Sequence, residues 1–378
     1  MNTIQMVDLK SQYLKIKSEI DHALIQCVES TNYINGPEVK HFQESLEKYL
    51  NVKHVIPCAN GTDALQIALM ALGLELGDEI IVPAFTYVAT AEAIAILGYI
   101  PVMVDVDSKT FNIDPAEIEK AITSKTKAIV PVHLYGQSAD MDLIMNIANN
   151  HGLFVIEDNA QALGAEYKST DGKLHKTGTI GHLGCNSFFP TKNLGCFGDG
   201  GAISTNDDNL AEKCRIIASH GQKKKYYHSV IGCNSRLDTL QAAILNVKIK
   251  YLDSYIKSRQ NAARIYSEGL KGLKWLSIPL ETPYAIHSFN QFTLIVKENL
   301  RDHLRQYLSE NHIPTIVYYP LPLYKQEAFA GFVGDKMEMP ITEYLCKSVL
   351  SIPMHTELTQ EIQEYIIDII KKFKQRPS

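Results

Sequence analysis

Between residues 52 and 157, short apolar runs alternate with stretches in which apolar residues recur at helical spacing. Such alternation is typical of parallel strands joined by helical crossovers, with helices covering both faces of the sheet. The predicted strands span residues 52–57, 79–82, 101–106, 128–134 and 153–157, and the predicted helices span residues 63–74, 90–97 and 141–150. The sequence therefore predicts an α/β fold with a mostly parallel central sheet.

The pattern changes after about residue 250. Apolar spacing predicts amphipathic helices at residues 10–30, 256–270 and 362–373, and alternation predicts an antiparallel strand at residues 289–296. A chain of 378 residues is long enough for two domains. We predict a large domain over residues 1–250, which includes the N-terminal helix, and a smaller α+β domain over residues 251–378.

The charge pattern argues against a nucleic-acid-binding protein. The 37 basic and 42 acidic side chains give a net charge of −5, and the lysines are scattered rather than arranged in a basic stripe. We interpret the run Lys223–Lys225 as a solvated loop, with attraction of an anionic substrate as the alternative.

The cysteines and the apolar runs predict a cytoplasmic protein. Seven cysteines are dispersed without metal-ligand spacing, which favours a reducing compartment over disulfides or a metal site. The amino terminus is polar, unlike a signal peptide. The longest apolar stretch, residues 93–104, contains Gly98 and Pro101 and is too short to span a bilayer. We expect no membrane partner.

Lys192 lies in the segment SFFPTKNLG at residues 187–195, bounded by proline and glycine and placed beside two phenylalanines. A lysine that is shielded from water loses its proton more easily, and the neutral amine can attack an aldehyde to form a Schiff base. Most lysines are solvated surface charges, which is the alternative for Lys192.

Two further segments lie where a strand is predicted to end. In residues 60–64, NGTDA, Gly61 allows close approach of a ligand and the helix start attracts phosphate, although such a segment is often only a helix cap. Asp158 follows a buried strand, where ligands of open α/β sheets gather. It either caps the next helix or pairs with a heteroaromatic nitrogen.

Other candidates are ambiguous when taken singly. Tyr87 either stacks on a flat cofactor or belongs to the core. Ser187 either donates to a phosphate or caps a turn. The segment Asn234–Asp238 opens a helix that we predict to run through Leu245, and an N-cap is the alternative reading of its polar residues.

Taken together, these segments resemble the DegT/DnrJ/EryC1/StrS family of sugar aminotransferases, which are fold-type-I enzymes dependent on pyridoxal 5′-phosphate (PLP). The resemblance runs nearly end to end. Its most specific parts are EDNAQ at residues 157–161, the stretch 187–201 and NSRLD at residues 234–238.

The resemblance implies a role for each matched residue. Lys192 would bind the cofactor as a Schiff base and move protons, and Asp158 would keep the pyridine nitrogen protonated, which makes the ring an electron sink. Gln161 would bond the ring oxygen and Tyr87 would stack on the ring.

The remaining matches concern the phosphate and the substrate. Gly61, Thr62 and Ser187 would bind the cofactor phosphate, and Asn234 would reach the phosphate of the neighbouring subunit in a homodimer with shared active sites. Arg236 would contact an acidic group of the substrate. The loop around Tyr318 and Tyr319 matches a family segment near the sugar, and these two residues are further substrate-binding candidates.

The implied reaction moves an amino group from L-glutamate to a nucleotide-linked keto-sugar. The pattern is closest to members that aminate C3 of a UDP-linked 3-keto-N-acetylhexosamine uronate for surface polysaccharides such as lipopolysaccharide O-antigen, and C4 amination is the alternative. Many members have histidine at the position of Tyr318, histidine or asparagine at that of Tyr324 and tyrosine at that of Cys233, so the sugar remains open.

Three rival functions would need or permit different residues in this sequence. A dehydratase of the same fold has histidine at the position of Lys192. A nicotinamide oxidoreductase needs Gly-x-Gly-x-x-Gly after its first strand, and residues 58–62 contain one glycine. A non-catalytic sensor of the same fold stays open, although the presence of Lys192 and Asp158 argues against it.

Overall fold

A computed structural model describes residues 4–297, 299–332 and 337–374. The α-helices are α1 (Leu9–Lys15), α2 (Lys17–Ser30), α3 (Pro37–Leu50), α4 (Gly61–Leu72), α5 (Ala89–Ile96), α6 (Pro115–Ala121), α7 (Met141–His151), α8 (Asp208–Ala218), α9 (Thr239–Lys248), α10 (Leu252–Leu270), α11 (Arg301–Glu310), α12 (Pro340–Ser348) and α13 (Gln360–Lys372). Short 3₁₀ turns occur at Leu134–Gly136, Ile249–Tyr251, Leu323–Lys325 and Glu327–Phe332.

The strands are β1 (His54–Cys58), β2 (Glu79–Pro83), β3 (Ile100–Val104), β4 (Thr126–Ile129), β5 (Phe154–Asp158), β6 (Glu166–Lys168), β7 (Leu174–Lys176), β8 (Leu183–Ser187), β9 (Gly201–Thr205), β10 (Gln222–Lys224), β11 (Tyr227–His228), β12 (Leu276–Ser277), β13 (Ala285–Ile286), β14 (Phe292–Val296) and β15 (Val349–Ile352).

The central sheet has seven strands in the order β1-β9-β8-β5-β4-β2-β3. Strands β8, β5, β4, β2 and β3 are mutually parallel. Their residues are nearly all buried because helices cover both faces, and α4 packs across the sheet among the apolar residues of its largest core cluster. The prediction of an α/β fold with a mostly parallel sheet is therefore confirmed.

The sequence pattern missed two central strands. Both β8 and β9 flank the Lys192 segment, and β9 is antiparallel to β8 and to β1. Strand β1 was expected to join the parallel set directly, but β9 lies between it and β8. Because β8 and β9 follow each other without a helix between them, the alternation that identified the other strands is absent here.

Several element boundaries differ from the prediction, and three of these differences change how the chain runs. The helix at residues 10–30 is divided into α1 and α2 at Ile16, whose backbone leaves the helical region. The strand predicted at residues 128–134 ends at Ile129, because Pro131 has no N–H for the ladder. The segment Asn234–Asp238 is extended, so that α9 begins only at Thr239.

The C-terminal part of the chain has its own sheet, in which β14 is antiparallel to both β12 and β15 as the alternation predicted. An apolar core cluster joins this sheet to α10, α11 and α13, and Ile4 also belongs to it. The division into domains at residue 250 stays a prediction.

One contact between this C-terminal part and the central sheet is made by Asp105. Asp105 follows β3 and accepts the N–H groups of Ile341 and Thr342 at 3.0 and 2.8 Å, which caps the start of α12. Helix α12 leads into β15, where Ser351 forms a bridge with Ile316. The segment after Ile316 is thereby placed over the carboxyl ends of the central strands.

Among the helices in the described ranges, none combines the length and apolar character that crossing a bilayer requires. The lysine run at residues 223–225 lies at the exposed β10–β11 hairpin.

Candidate active site

A cavity of about 630 Å³ lies at the carboxyl ends of the parallel strands. The predicted site residues that line it are Gly61, Thr62, Tyr87, Asp158, Gln161, Ser187, Lys192, Tyr318 and Tyr319. Six of them are the last residue of strand β1, β2, β5 or β8 or follow such a strand by up to four residues, namely Gly61, Thr62, Tyr87, Asp158, Gln161 and Ser187. The topology of the sheet therefore brings residues that are distant in sequence to one edge.

Lys192 lines this cavity, and the residue as a whole is half-buried. Its loop is closed by backbone hydrogen bonds from Lys192 N–H to the Phe189 carbonyl and from Cys196 N–H to the Phe188 carbonyl, both 2.8 Å. Burial lowers the pKa of Lys192 to about 8, and the nearby charge of Asp158 partly opposes that shift. At pH 7 about a tenth of this lysine is therefore an unprotonated nucleophile, far more than of a lysine with the ordinary pKa of 10.5.

The two phenylalanines that precede Lys192 have different roles. Phe188 is fully buried and packs edge-on against Phe42 at 5.2 Å between ring centroids. Phe189 is 49 % exposed and lines the cavity. Phe188 belongs to the core beneath the loop, so only Phe189 can shield the amine within the cavity.

Asp158 forms the floor of the cavity at the end of β5 and is 5 % exposed. Burial raises the pKa of its carboxyl group, and the opposing influences are a hydrogen bond from the Thr90 hydroxyl at 2.8 Å, one from Ala160 N–H and the charge of Lys192. The chain continues from Asp158 into a turn, so the alternative role as a helix cap does not apply.

The amide of Gln161 is oriented by contacts at both of its ends. Its Oε1 accepts the backbone N–H of Tyr135 at 2.8 Å, and its Nε2 donates to the Tyr319 hydroxyl at 3.1 Å. Because the oxygen is held by a backbone donor, the NH₂ group is the end available at the cavity, and an amide NH₂ group can donate two hydrogen bonds.

The start of α4 and the end of β8 form a small cradle. Asn60 caps the helix by accepting the N–H of Asp63 at 2.8 Å, and the N–H groups of Gly61 and Thr62 have no acceptor within the helix. A Cβ on Gly61 would lie 2.7 Å from the Cβ of Ser187, so only glycine permits this approach. The Ser187 hydroxyl also accepts Phe189 N–H at 3.3 Å, and it therefore caps the turn as well as lining the cavity.

Aromatic residues cover the opposite side. Tyr87 is 57 % exposed, which excludes the core alternative, and its ring lies 6.2 Å from that of Tyr319. The Tyr318 carbonyl accepts a hydrogen bond from the Tyr135 hydroxyl. Burial raises the pKa of Tyr319.

The structure does not bring Asn234 and Arg236 into this cavity. Asn234 is exposed and Arg236 is half-buried outside the lining. Their segment nevertheless adjoins the cradle, because the Ser235 hydroxyl accepts the N–H of Ala59 at 3.0 Å.

Several lining or supporting residues escaped the sequence analysis. Thr90 bonds Asp158, and its signal was a hydroxyl within the Ala- and Ile-rich helix α5. Asp199 and Gln291 also line the cavity. Asp199 is in the glycine-rich segment GDGG at residues 198–201, and nothing in the local sequence marks Gln291.

The cavity fits a cofactor that carries an aldehyde, a basic ring nitrogen and a phosphate. An amine with a pKa of about 8 suits the aldehyde, and a buried carboxylate suits a protonated ring nitrogen. The start of α4, where Gly61 lies against Ser187, suits the phosphate because its free N–H groups bind anions.

Comparison with characterised proteins gives the same assignment. The chain is 48 % identical over 372 residues to a protein of Geobacillus stearothermophilus named "Pleiotropic regulatory protein", with 98 % of each chain covered. It is 46 % identical over 359 residues to the UDP-2-acetamido-2-deoxy-3-oxo-D-glucuronate aminotransferase of Pseudomonas aeruginosa, which covers 94 % of this chain and 96 % of the relative.

Solved structures resemble the fold over its full length. DesV of S. venezuelae, solved in complex with a ketimine intermediate, superimposes with a TM-score of 0.95 at 37 % identity and complete coverage of both chains. NtdA of Bacillus subtilis, solved with bound cofactor PMP, gives a TM-score of 0.87 at 34 % identity, with 95 % of this chain and 82 % of that chain covered.

The fold and the cavity thus define a PLP-dependent transferase of fold type I. The chain belongs to the DegT/DnrJ/EryC1/StrS aminotransferase family, whose sequence pattern matches residues 14–371. The predictions of the family, of aminotransferase activity and of the cofactor are confirmed. The roles of the individual site residues stay predictions.

Covalent capture of PLP by the cofactor-free protein should accelerate as the pH rises through about 8, because only the unprotonated Lys192 amine attacks an aldehyde. The Asp158→Asn variant loses the charge that raises this pKa, so the midpoint should move to lower pH. Stopped-flow absorbance measures the capture rate at each pH.

Asp199→Asn is the matched control, since it removes a carboxylate from the same cavity without affecting burial or Asp158, the two influences on the pKa of Lys192. Equal shifts in both variants, or a midpoint near the ordinary lysine value of 10.5, would contradict the assignment.

Proposed function

We propose that the protein transfers the amino group of L-glutamate to a nucleotide-linked keto-sugar and that Lys192 and Asp158 carry the chemistry. The observation that supports this most directly is the pairing of a lysine of lowered pKa with a buried carboxylate in one cavity. PLP supplies an electron sink for the carbon–nitrogen chemistry when it is bound.

Each protein group then has a defined task. The Lys192 Nζ accepts and returns a proton near neutral pH, which its pKa of about 8 permits. Asp158 holds a proton on the ring nitrogen, and Thr90 keeps the carboxylate oriented through its 2.8 Å hydrogen bond. Gln161 donates to the ring oxygen, Tyr87 stacks on the ring, and Gly61, Thr62 and Ser187 bind the phosphate.

For the substrate, we propose a UDP-linked 3-keto-N-acetylhexosamine uronate, which is aminated at C3. Support comes from the Pseudomonas aeruginosa relative and from a UDP-N-acetyl-3-dehydro-alpha-D-glucosamine 3-aminotransferase of Acidithiobacillus ferrooxidans, which is 42 % identical over 370 residues. The product would be a cytoplasmic amino-sugar nucleotide for surface polysaccharide such as O-antigen. Tyr318 and Tyr319 would contact the sugar, and Arg236 would bind its carboxylate.

We also propose that the protein is a homodimer with shared active sites. The exposed Asn234 is beside the phosphate cradle but outside the lining of its own subunit's cavity, which is the position expected of a residue that acts on the neighbouring subunit. In that arrangement Asn234 and Arg236 complete the partner's site.

A sensor is the second candidate, favoured by the name of the Geobacillus stearothermophilus relative. A sensor that only binds the cofactor has no need for an amine that exchanges protons near neutral pH. The first experiment below separates the two functions.

Addition of L-glutamate to the PLP-loaded protein should abolish the visible absorbance of the bound cofactor, and a nucleotide-linked keto-sugar should restore it. Lys192→Ala should abolish turnover by more than about a thousandfold while leaving the unfolding midpoint unchanged. Lys176→Ala, a lysine paired with Glu166 outside the cavity, should remain active. A visible band that glutamate never changes would favour the sensor.

A panel of UDP-, dTDP- and GDP-linked 3-keto- and 4-keto-sugars tests the substrate. We expect the highest kcat/KM with the UDP-linked 3-keto-N-acetylhexosamine uronate. Arg236→Gln should lower that value by about tenfold or more but spare the analogue without a carboxylate, because a bidentate charge pair is lost. Equal losses for both sugars would remove Arg236 from carboxylate binding.

Coexpression of Asn234→Ala and Lys192→Ala subunits tests the shared site. Mixed dimers should regain activity that neither variant has alone, because one of their two sites contains both residues. Cofactor retention by each variant is measured after gel filtration. Normal retention in Asn234→Ala alone would show that the contact between subunits is wrong.

A further inference from the structure

Glu157 immediately precedes Asp158 and is a fully buried carboxylate without a task in the proposed chemistry. It accepts the N–H groups of Gly178 at 2.8 Å and of Ile180 and Gly181 at 2.6 Å. A fourth donor is His133, whose Nε2 lies 2.8 Å from the Glu157 Oε2. Four donors satisfy the buried carboxylate, which would otherwise be strongly destabilising.

His133 is also fully buried, and its two ring nitrogens have different partners. Its Nδ1 accepts the backbone N–H of Ala139 at 3.1 Å, so this nitrogen carries no proton. The proton of the imidazole is therefore on Nε2, where it is donated to Glu157. We call this pair of side chains the His133–Glu157 bracket.

The bracket is connected to Asp158 through the backbone. Asp158 N–H donates to the Pro131 carbonyl at 2.9 Å, and His133 N–H donates to the Asp158 carbonyl at 3.1 Å. The side-chain bond from His133 to Glu157 therefore closes a ring of contacts around the main chain of Asp158.

The bracket is also connected to Gln161. The bond from Ala139 N–H to the His133 ring closes the turn between residues 133 and 139, and that turn contains Tyr135. The N–H of Tyr135 holds the Gln161 Oε1 at 2.8 Å. A shift of the His133 ring would therefore displace the donor that orients the Gln161 amide.

We propose that His133 and Glu157 are positioning residues that fix the Asp158 carboxylate and the Gln161 amide relative to each other. The inference rests on the proposed roles of those two residues at the ring nitrogen and the ring oxygen. The buried hydrogen bond from His133 to Glu157 would set the positions of both the Asp158 carboxylate and the Gln161 amide. The cofactor ring would then be held at its nitrogen and at its oxygen.

The test compares two substitutions of His133. In His133→Asn the amide reaches the position of Nδ1, which can keep the Ala139 contact but is too short for Glu157. In His133→Gln a donor reaches the position of Nε2. Titration of the cofactor-free protein with PLP gives the dissociation constant, and visible circular dichroism reports the orientation of the bound ring.

We expect His133→Asn to weaken PLP binding by about tenfold or more and to change the visible circular dichroism band, as loss of an outer-shell partner does at other sites. His133→Gln should have a PLP dissociation constant and a dichroism band closer to those of the unaltered protein. If His133→Asn does not fold, Glu157→Asp is the second variant, because it withdraws the carboxylate from the bond to His133 while keeping the charge. Weaker PLP binding and a changed dichroism band are expected for it as well.

His182→Gln is the control for a merely structural effect. The His182 Nδ1 accepts Val155 N–H at 3.0 Å near the opposite end of β5. The amide of glutamine reaches the position of Nε2 instead, so this variant removes a histidine contact to the same strand. We expect it to lower the unfolding midpoint without altering the dichroism of the bound cofactor.

The proposal is overturned if His133→Asn loses stability as His182→Gln does but binds PLP with unchanged affinity and dichroism. Asp158→Asn and Gln161→Ala distinguish this result from a failure of the proposed site. If they weaken binding and His133→Asn does not, only the bracket is wrong. If neither Asp158→Asn nor Gln161→Ala weakens binding, the roles assigned to Asp158 and Gln161 in the proposed function are wrong.

Discussion

The burial of the Lys192 amine close to the Asp158 carboxylate is the interaction on which the site depends. Burial disfavours the charged form of each group, so that the pKa of the lysine is lowered and that of the aspartate is raised. Their opposite charges counteract both shifts. The balance leaves an amine that exchanges protons near neutral pH beside an anion that Thr90 and Ala160 stabilise by hydrogen bonds. Neither property would survive if water filled the cavity freely.

The sheet topology creates that environment. Parallel strands present their carboxyl ends at one edge, and the loops after β1, β2, β5 and β8 meet there. The C-terminal segment that carries Tyr318 and Tyr319 covers the same edge, because the bridge from Ile316 to Ser351 and the Asp105 cap of α12 fix it to the rest of the fold. The cavity is therefore closed by residues that are more than a hundred positions apart in the sequence.

The relatives have both enzyme and regulatory names, although their similarity to this chain extends over its whole length. The fold by itself does not separate such functions. The chemistry of the cavity does, because a lysine of lowered pKa facing a buried carboxylate serves proton transfer rather than simple retention of a ligand.

The sequence by itself determined four of the five parallel strands, β2 to β5, and most of the helices. It also marked Lys192, Asp158 and Gln161 as candidate site residues, because apolar periodicity and short motifs are local properties. Only the tertiary structure decided that β9 separates β1 from β8, that Thr90 bonds Asp158 and that His133 and Glu157 meet. It also placed Asn234 outside the cavity of its own subunit. Those outcomes depend on contacts between segments that are distant in sequence. A local sequence pattern does not indicate which distant donor will form a hydrogen bond with a buried carboxylate.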